Sequence, residues 1–129
     1  MARIFDCFPF HDELDLLDIH LHELSDCVDR FVIAEATTSF SGEPKKLTFP
    51  PNRDRFAPFL DRIDYIVVDD FPPGMKPGWA RQWHQREALA KELADAAPDD
   101  LILLCDVDEI VRAPSLRSFA ARETGRAEI

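Results

Sequence analysis

The segment Leu101-Ile-Leu-Leu-Cys-Asp-Val-Asp-Glu109 constrains the fold more than any other stretch: an unbroken apolar run stops at three carboxylates packed into four positions. Apolar runs of this length read as strands buried on both faces, and the carboxyl end of such a strand is where open α/β sheets hold their ligands. Side chains on extended backbone alternate with period two, so Asp106 and Asp108 are expected on one side of it. Two like charges that close repel unless a cation holds them, which asks for a hard ion with oxygen ligands, Mg²⁺ or Mn²⁺. The plain alternative is a solvated strand end, with Glu109 capping the next turn.

Other apolar segments alternate with amphipathic ones. Arg3 to Phe8 reads as a first strand that ends at Pro9. From Glu13 onward Leu14, Leu17, Leu21, Leu24 and Val28 recur at helical spacing, so an amphipathic helix is expected to about Cys27, with Leu16 and Ile19 off its stripe. His20 and His22 lie two apart and point away from each other, so they read as surface residues and not as a metal pair. Phe31 to Ala34 is a compact second strand closing on Glu35, followed by a loop from Thr37 to Pro44. Lys45 to Pro58 reads as an irregular connection, with one short helix around Arg55 to Leu60. Asp64 to Val68 is a third strand, closing on Asp69 and Asp70. Phe71 to Gly78 holds three prolines and two glycines and must be a loop.

Trp79 to Ala97 is the strongest helical segment, stopped by Pro98. Its inner face is expected to collect Trp79, Trp83, Ala90, Leu93 and Ala97, with Arg86 in the middle. A cation buried there needs a partner. The two tryptophans read as core; the loop before Trp79 leaves open a stacking platform under a mobile flap. His84 falls on the outer side, and Ser115 is placed to cap a last helix through Phe119 and Ala120. Strands that alternate with helices in this way imply a parallel α/β sheet with right-handed crossovers.

At 129 residues the chain has the size of one domain, residues 1–129, with 46% hydrophobic residues to build a core. Its 25 acidic against 15 basic residues give a net charge of -10, which argues against nucleic-acid backbone or an anionic membrane as partner. A cation-bridged phosphate ligand stays compatible with that charge. Cys7, Cys27 and Cys105 are isolated and set among apolar residues, as buried thiols of a reducing compartment are. No stretch approaches a membrane span and no leader segment is recognisable, so a cytoplasmic location is expected.

Several segments together resemble glycosyltransferase family 17, the β-1,4-mannosyl-glycoprotein β-1,4-N-acetylglucosaminyltransferases. They are Ile4 to Leu24, Val28 to Glu35, Phe40 to Pro44, Phe71 to Gly74, Gly78-Trp79 and Pro98 to Ile110, in the family's order. The resemblance implies the GT-A fold, a Rossmann-like nucleotide-sugar domain, with UDP-N-acetylglucosamine as donor, a glycan as acceptor and inversion at the anomeric carbon. It also implies that Asp106-Val-Asp108 is the metal motif, Asp108 the direct ligand of Mn²⁺ or Mg²⁺, and Asp106 directed at ribose or metal. Arg86 is similar to an arginine that many GT-A enzymes place near that motif, where it would pair with a carboxylate or the pyrophosphate. Glu35 is expected at uracil or ribose. Asp69 and Asp70 either line the nucleotide cleft or merely begin a loop, and His11 lies near enough to the first strand's end to approach the nucleotide.

Related full-length transferases continue well past the metal motif. The chain is therefore expected to be the N-terminal, donor-binding portion of a longer transferase domain, with the catalytic base outside it and a tendency to self-associate through an open sheet edge. Two other classes compete. One is a non-catalytic nucleotide-sugar-binding or interaction module. The other is a receiver-like phosphoacceptor domain, suggested by Asp69-Asp70 with Asp106 but lacking an acidic pair after the first strand.

Overall fold

The computed structural model describes residues 3–122. Its sheet has four parallel strands, β1 (Ile4–Phe10), β2 (Arg30–Ala36), β3 (Ile63–Val68) and β4 (Leu101–Leu104), in the order β3-β2-β1-β4. Four helices connect or follow them: α1 (Leu14–Leu24), the short α2 (Phe49–Asn52), α3 (Trp79–Glu92) and α4 (Ala113–Arg122). A 3-10 helix spans Arg53–Arg62, covering the short helix expected around Arg55 to Leu60. This is the doubly wound α/β arrangement, Rossmann-like in its strand order.

The two faces of the sheet are covered by different connections for a topological reason. From β1 through β3 each strand is added on one side, and α1, α2 and the 3-10 helix cover one face, where Phe8, Phe10, Phe31, Ile33, Leu101 and Leu103 meet Leu17, Leu21, Leu24, Phe49, Phe56 and Leu116. The chain then returns past β2 to place β4 beyond β1, and a right-handed crossover in that direction must use the other face. Accordingly α3 buries Leu89 against Phe5, Cys7, Val32, Ala34 and Val68. The direction reverses between β1 and β4, which opens a crevice at the carboxyl ends of those two strands. Among the described residues no helix is long and apolar enough to cross a membrane.

Several expectations change. β1 does not stop at Pro9 but runs to Phe10. In a parallel strand alternate residues bond to opposite neighbours; Cys7 accepts from Cys105 N, so Pro9 turns its nitrogen to the same side, where β4 has already ended. The missing N–H therefore breaks no ladder bond. β2 likewise continues past Ala34, so Glu35 lies inside the strand. β4 is an edge strand, with no strand beyond it among the described residues; Leu101 and Leu103 are buried, Ile102 packs half-buried against the α3 side, and Leu104 is 51% exposed.

The helices differ too. α1 ends at Leu24, and His20 is buried on its inner face between Leu17 and Leu24, tolerated there because Asp6 of β1 receives the ring. α3 ends at Glu92 and is turned from the expected face: Gln85 and Leu89 are buried while Trp79 and Trp83 are 67% and 54% exposed. Gln85 wins the inner position because its amide donates to the carbonyls of Ala34 in β2 (2.7 Å) and of Phe10 at the end of β1 (3.3 Å). α4 begins at Ala113, with Pro114 and Ser115 in its first turn, so Ser115 is not the cap; Glu23 accepts from Ala113 N instead. Of the cysteines only Cys7 is fully buried, and all three are free thiols.

Candidate functional site

The crevice at the switch point forms a cleft walled by three elements. The end of β1 supplies Pro9, Phe10 and His11; α3 supplies Gln82, Gln85 and Arg86; the segment after β4 supplies Asp106, Val107 and Asp108. Glu13 and Phe40 complete the rim. Of the residues named from sequence, Asp106, Asp108, Arg86 and His11 come together here.

The carboxylates are presented by a turn and not by extended backbone. Glu109 N donates to the Asp106 carbonyl at 2.9 Å, and Glu109 Oε1 accepts from Asp106 N at 2.8 Å, so the two ends lock reciprocally. Val107, 2% exposed, pins the middle of the turn in the core. Glu109 thus closes its own turn from behind and does not cap the next one, while Asp106 and Asp108 flank an anchored residue and line the cleft.

Arg86 finds the partner that its position demanded. Its Nη2 lies 2.5 Å from Asp106 Oδ1, with the two side chains 26% and 42% exposed. The Arg86 Nε–H is buried and has no acceptor among the described residues. Asp108 is exposed and makes no hydrogen bond or ion pair among the described residues. The cleft therefore offers one neutralised carboxylate, one free carboxylate and a guanidinium with donor capacity left, a combination suited to an anion that arrives with a cation. Among the described residues no group of three or more His, Cys, Asp or Glu side chains converges as a metal cage.

Two loops form the upper rim. Gly78 N donates to the Phe40 carbonyl at 2.6 Å, and Arg81 reaches both Thr38 Oγ1 (3.0 Å) and the Met75 carbonyl (3.3 Å). Gly42 has φ +92°, and a Cβ there would also press on Arg81 Nη2 at 3.3 Å. This clasp holds Phe40 against His11, ring centroids 6.1 Å apart. Glu13 Oε1 accepts from the amides of His11 and Asp12 at 3.0 and 2.9 Å, fixing the chain as it leaves β1.

The remaining sequence candidates lie elsewhere. Glu35 is fully buried and its oxygens accept from Lys45 Nζ, Thr48 N, Phe49 N and Tyr65 OH, so it organises the connection after β2 and is not on the cleft wall. Burial, and then the hydrogen bond to Glu35, hold the Tyr65 phenol well above the usual range. Asp69 and Asp70 follow the opposite edge strand, about 14 Å across three strand spacings from β4. His84 bonds to Asp70 at 2.9 Å and holds that carboxylate below its ordinary pKa. That separation also removes the shared acidic pocket that a receiver-like reading requires. Gln82, Gln85, Phe40 and Glu13 take no role from sequence: Glu13 and Phe40 lie in segments that resemble the family and Gln85 stands beside Arg86, but nothing in their pattern marks them as cleft residues.

The family profile described as glycosyltransferase family 17 matches residues 1–121. The chain is 34% identical over 115 residues to the β-1,4-mannosyl-glycoprotein 4-β-N-acetylglucosaminyltransferases of Rattus norvegicus and Homo sapiens, covering 84% of this chain and 21% and 22% of theirs. The Mus musculus enzyme of the same name matches at 33%. The chain thus spans about a fifth of the length of these relatives. No solved structure matches it.

Proposed function

From the premise that the chain belongs to glycosyltransferase family 17, we propose that it is the donor-binding part of a metal-dependent, inverting N-acetylglucosaminyltransferase of GT-A type. Its donor is UDP-N-acetylglucosamine and its acceptor a glycan. The observation that carries this reading is the convergence of Asp106, Asp108 and Arg86 at the β1/β4 switch point, the place where doubly wound sheets take nucleotides.

The residues fit a divalent cation. Mg²⁺ and Mn²⁺ in phosphate sites are held by one or two carboxylates, with phosphate and water completing the shell, so Asp108 and the outer oxygen of Asp106 are enough. When bound, the ion neutralises charge on the diphosphate leaving group. Arg86 works in the same direction from the protein side: tied to Asp106, it presents a fixed guanidinium whose unused donor suits a phosphate oxygen. The reciprocal bonds of Glu109 hold the carboxylates in place before the donor arrives, so little ordering entropy remains to be lost on binding. Phe40 and His11 offer flat faces at the rim for a base or sugar ring.

Calorimetric titration of the chain with UDP-N-acetylglucosamine, with and without Mn²⁺, tests this. Binding should require Mn²⁺ and weaken at least about tenfold, roughly 1.4 kcal/mol, in Asp108→Ala. Equal binding with and without the ion, or an unchanged affinity in that variant, would sink the assignment.

A further inference from the structure

His20 lies beneath the cleft. α1 carries it on its inner face and β1 brings Asp6 against it, each about 1% exposed. Its Nε2 is 2.5 Å from Asp6 Oδ2, its Nδ1 is 2.9 Å from the carbonyl oxygen of Val107, and the Phe8 ring packs beside it with centroids 4.4 Å apart. Val107 is the residue between the two cleft carboxylates. A carbonyl can only accept, so Nδ1 must carry hydrogen. Nε2 then shares a proton with the Asp6 carboxylate, which fixes both the tautomer and the plane of the ring.

We propose that His20 is a positioning residue for the cleft: its Nδ1–H bond to the Val107 carbonyl sets the orientation of the turn that presents Asp106 and Asp108, and Asp6 holds the ring in place. This inference rests on the donor-site reading for its consequence on binding but not for its structural content. The turn is held by the Val107 side chain, the Glu109 clasp, the Arg86 pair with Asp106 and this bond. Only the last reaches the backbone between the carboxylates from the opposite side of the core. Burial by itself works against a charged imidazole here; the hydrogen bond and charge of Asp6 and the Val107 carbonyl outweigh it and hold the His20 pKa above its ordinary value.

Two substitutions separate the bonds. In His20→Asn the amide nitrogen replaces Nδ1 and keeps the donor to Val107, whereas in His20→Gln it replaces Nε2 and keeps only the contact with Asp6. Hydrogen exchange read by mass spectrometry over residues 105–109, normalised to the β1 core, should rise about tenfold in His20→Gln and stay near the parent in His20→Asn. Mn²⁺-dependent affinity for UDP-N-acetylglucosamine should follow the same order, falling about tenfold in His20→Gln alone. Equal effects in both variants, in proportion to their loss of stability, would mean a filler of the core and overturn the proposal. If neither variant folds, long-range ¹H–¹⁵N NMR of the parent still decides: a protonated Nδ1 is expected, and an unprotonated Nδ1 overturns the proposal. A parent that binds no nucleotide sugar would end the donor-site reading, while the exchange and NMR results would still decide the role of His20.

Discussion

Glu35→Gln is the substitution that most sharply separates a structural carboxylate from a ligand-binding one. In the fold each Glu35 oxygen serves two donors, Oε1 the Phe49 amide and the Tyr65 hydroxyl, Oε2 the Thr48 amide and Lys45 Nζ, in a side chain with no exposure. A glutamine keeps one oxygen and so satisfies one pair; its NH₂ then faces the other. With the oxygen kept toward Phe49 and Tyr65, Thr48 N is left without an acceptor, and Lys45, 11% exposed, can turn toward water. An orphaned buried donor costs about 1–3 kcal/mol, and loss of the charge-assisted bond to Lys45 adds to it, for a total of about 2–4 kcal/mol. With about 2.1 cal/mol/K of unfolding entropy per residue, each kcal/mol moves the melting temperature of a chain this size by about 4 °C. Differential scanning calorimetry should therefore find Glu35→Gln melting about 8–16 °C below the parent. Below that transition its affinity for UDP-N-acetylglucosamine should be unchanged. A variant that melts within about 2 °C of the parent, or that loses affinity without losing stability, would mean that Glu35 is not a structural acceptor for these donors.

Gln85→Ala removes the donor to the Ala34 and Phe10 carbonyls and should cost about 2–3 kcal/mol in urea unfolding while loosening the β1 end of the cleft, seen as faster amide exchange at His11. Burial and the neighbouring Asp6 push the Cys7 thiol up to about 12, so iodoacetamide should label Cys27 and Cys105 in the native protein and Cys7 only after unfolding; native labelling of Cys7 would contradict its placement. Asp100 gives a pH prediction. Burial raises its pKa, but the amides of Arg3 and Ala97 and the Arg3 guanidinium outweigh this and hold it below the ordinary carboxylate value. Its contribution to stability is thus complete above the unfolded pKa of about 3.9 and is lost as pH falls through the lower folded pKa. Asp100→Asn should flatten the acid limb of a stability profile, and an unchanged limb would count against these bonds.

The elements that followed from sequence are those set by backbone-independent patterning. Leu17, Leu21 and Leu24 mark the buried stripe of α1 because hydrophobic burial alone decides them. The β3 and β4 apolar runs, the Pro and Gly loop before α3, and the need of Arg86 for a partner were legible for similar reasons. What escaped was decided by hydrogen bonds between distant segments. His20 goes inside because Asp6 and the Val107 carbonyl wait for it there, and no stripe of apolar residues announces that. Aromatic bulk points to Trp79 and Trp83 for the inner face of α3, whereas the buried carbonyls of Ala34 and Phe10 select Gln85. Asp106-Val-Asp108 was expected on extended backbone; the Glu109 clasp makes it a turn. Glu35 follows the apolar run Phe31 to Ala34 and so reads as a strand-end ligand, but β2 runs on to Ala36, and Lys45 and Thr48 are too far along the chain to suggest themselves as its partners.

Paramagnetic broadening by Mn²⁺ in ¹⁵N-correlation spectra locates directly where a cation and a diphosphate meet, which the proposed donor site puts between the ends of β1 and β4. With UDP present, substoichiometric Mn²⁺ should erase first the amide signals of Phe10, His11 and Asp106 to Glu109 and the Arg86 guanidinium signal, and the effect should vanish in Asp108→Ala. First losses at Asp69 and Asp70, or a diffuse loss spread over the acidic surface of this chain of net charge -10, would place the ion elsewhere and rule out the donor site between β1 and β4.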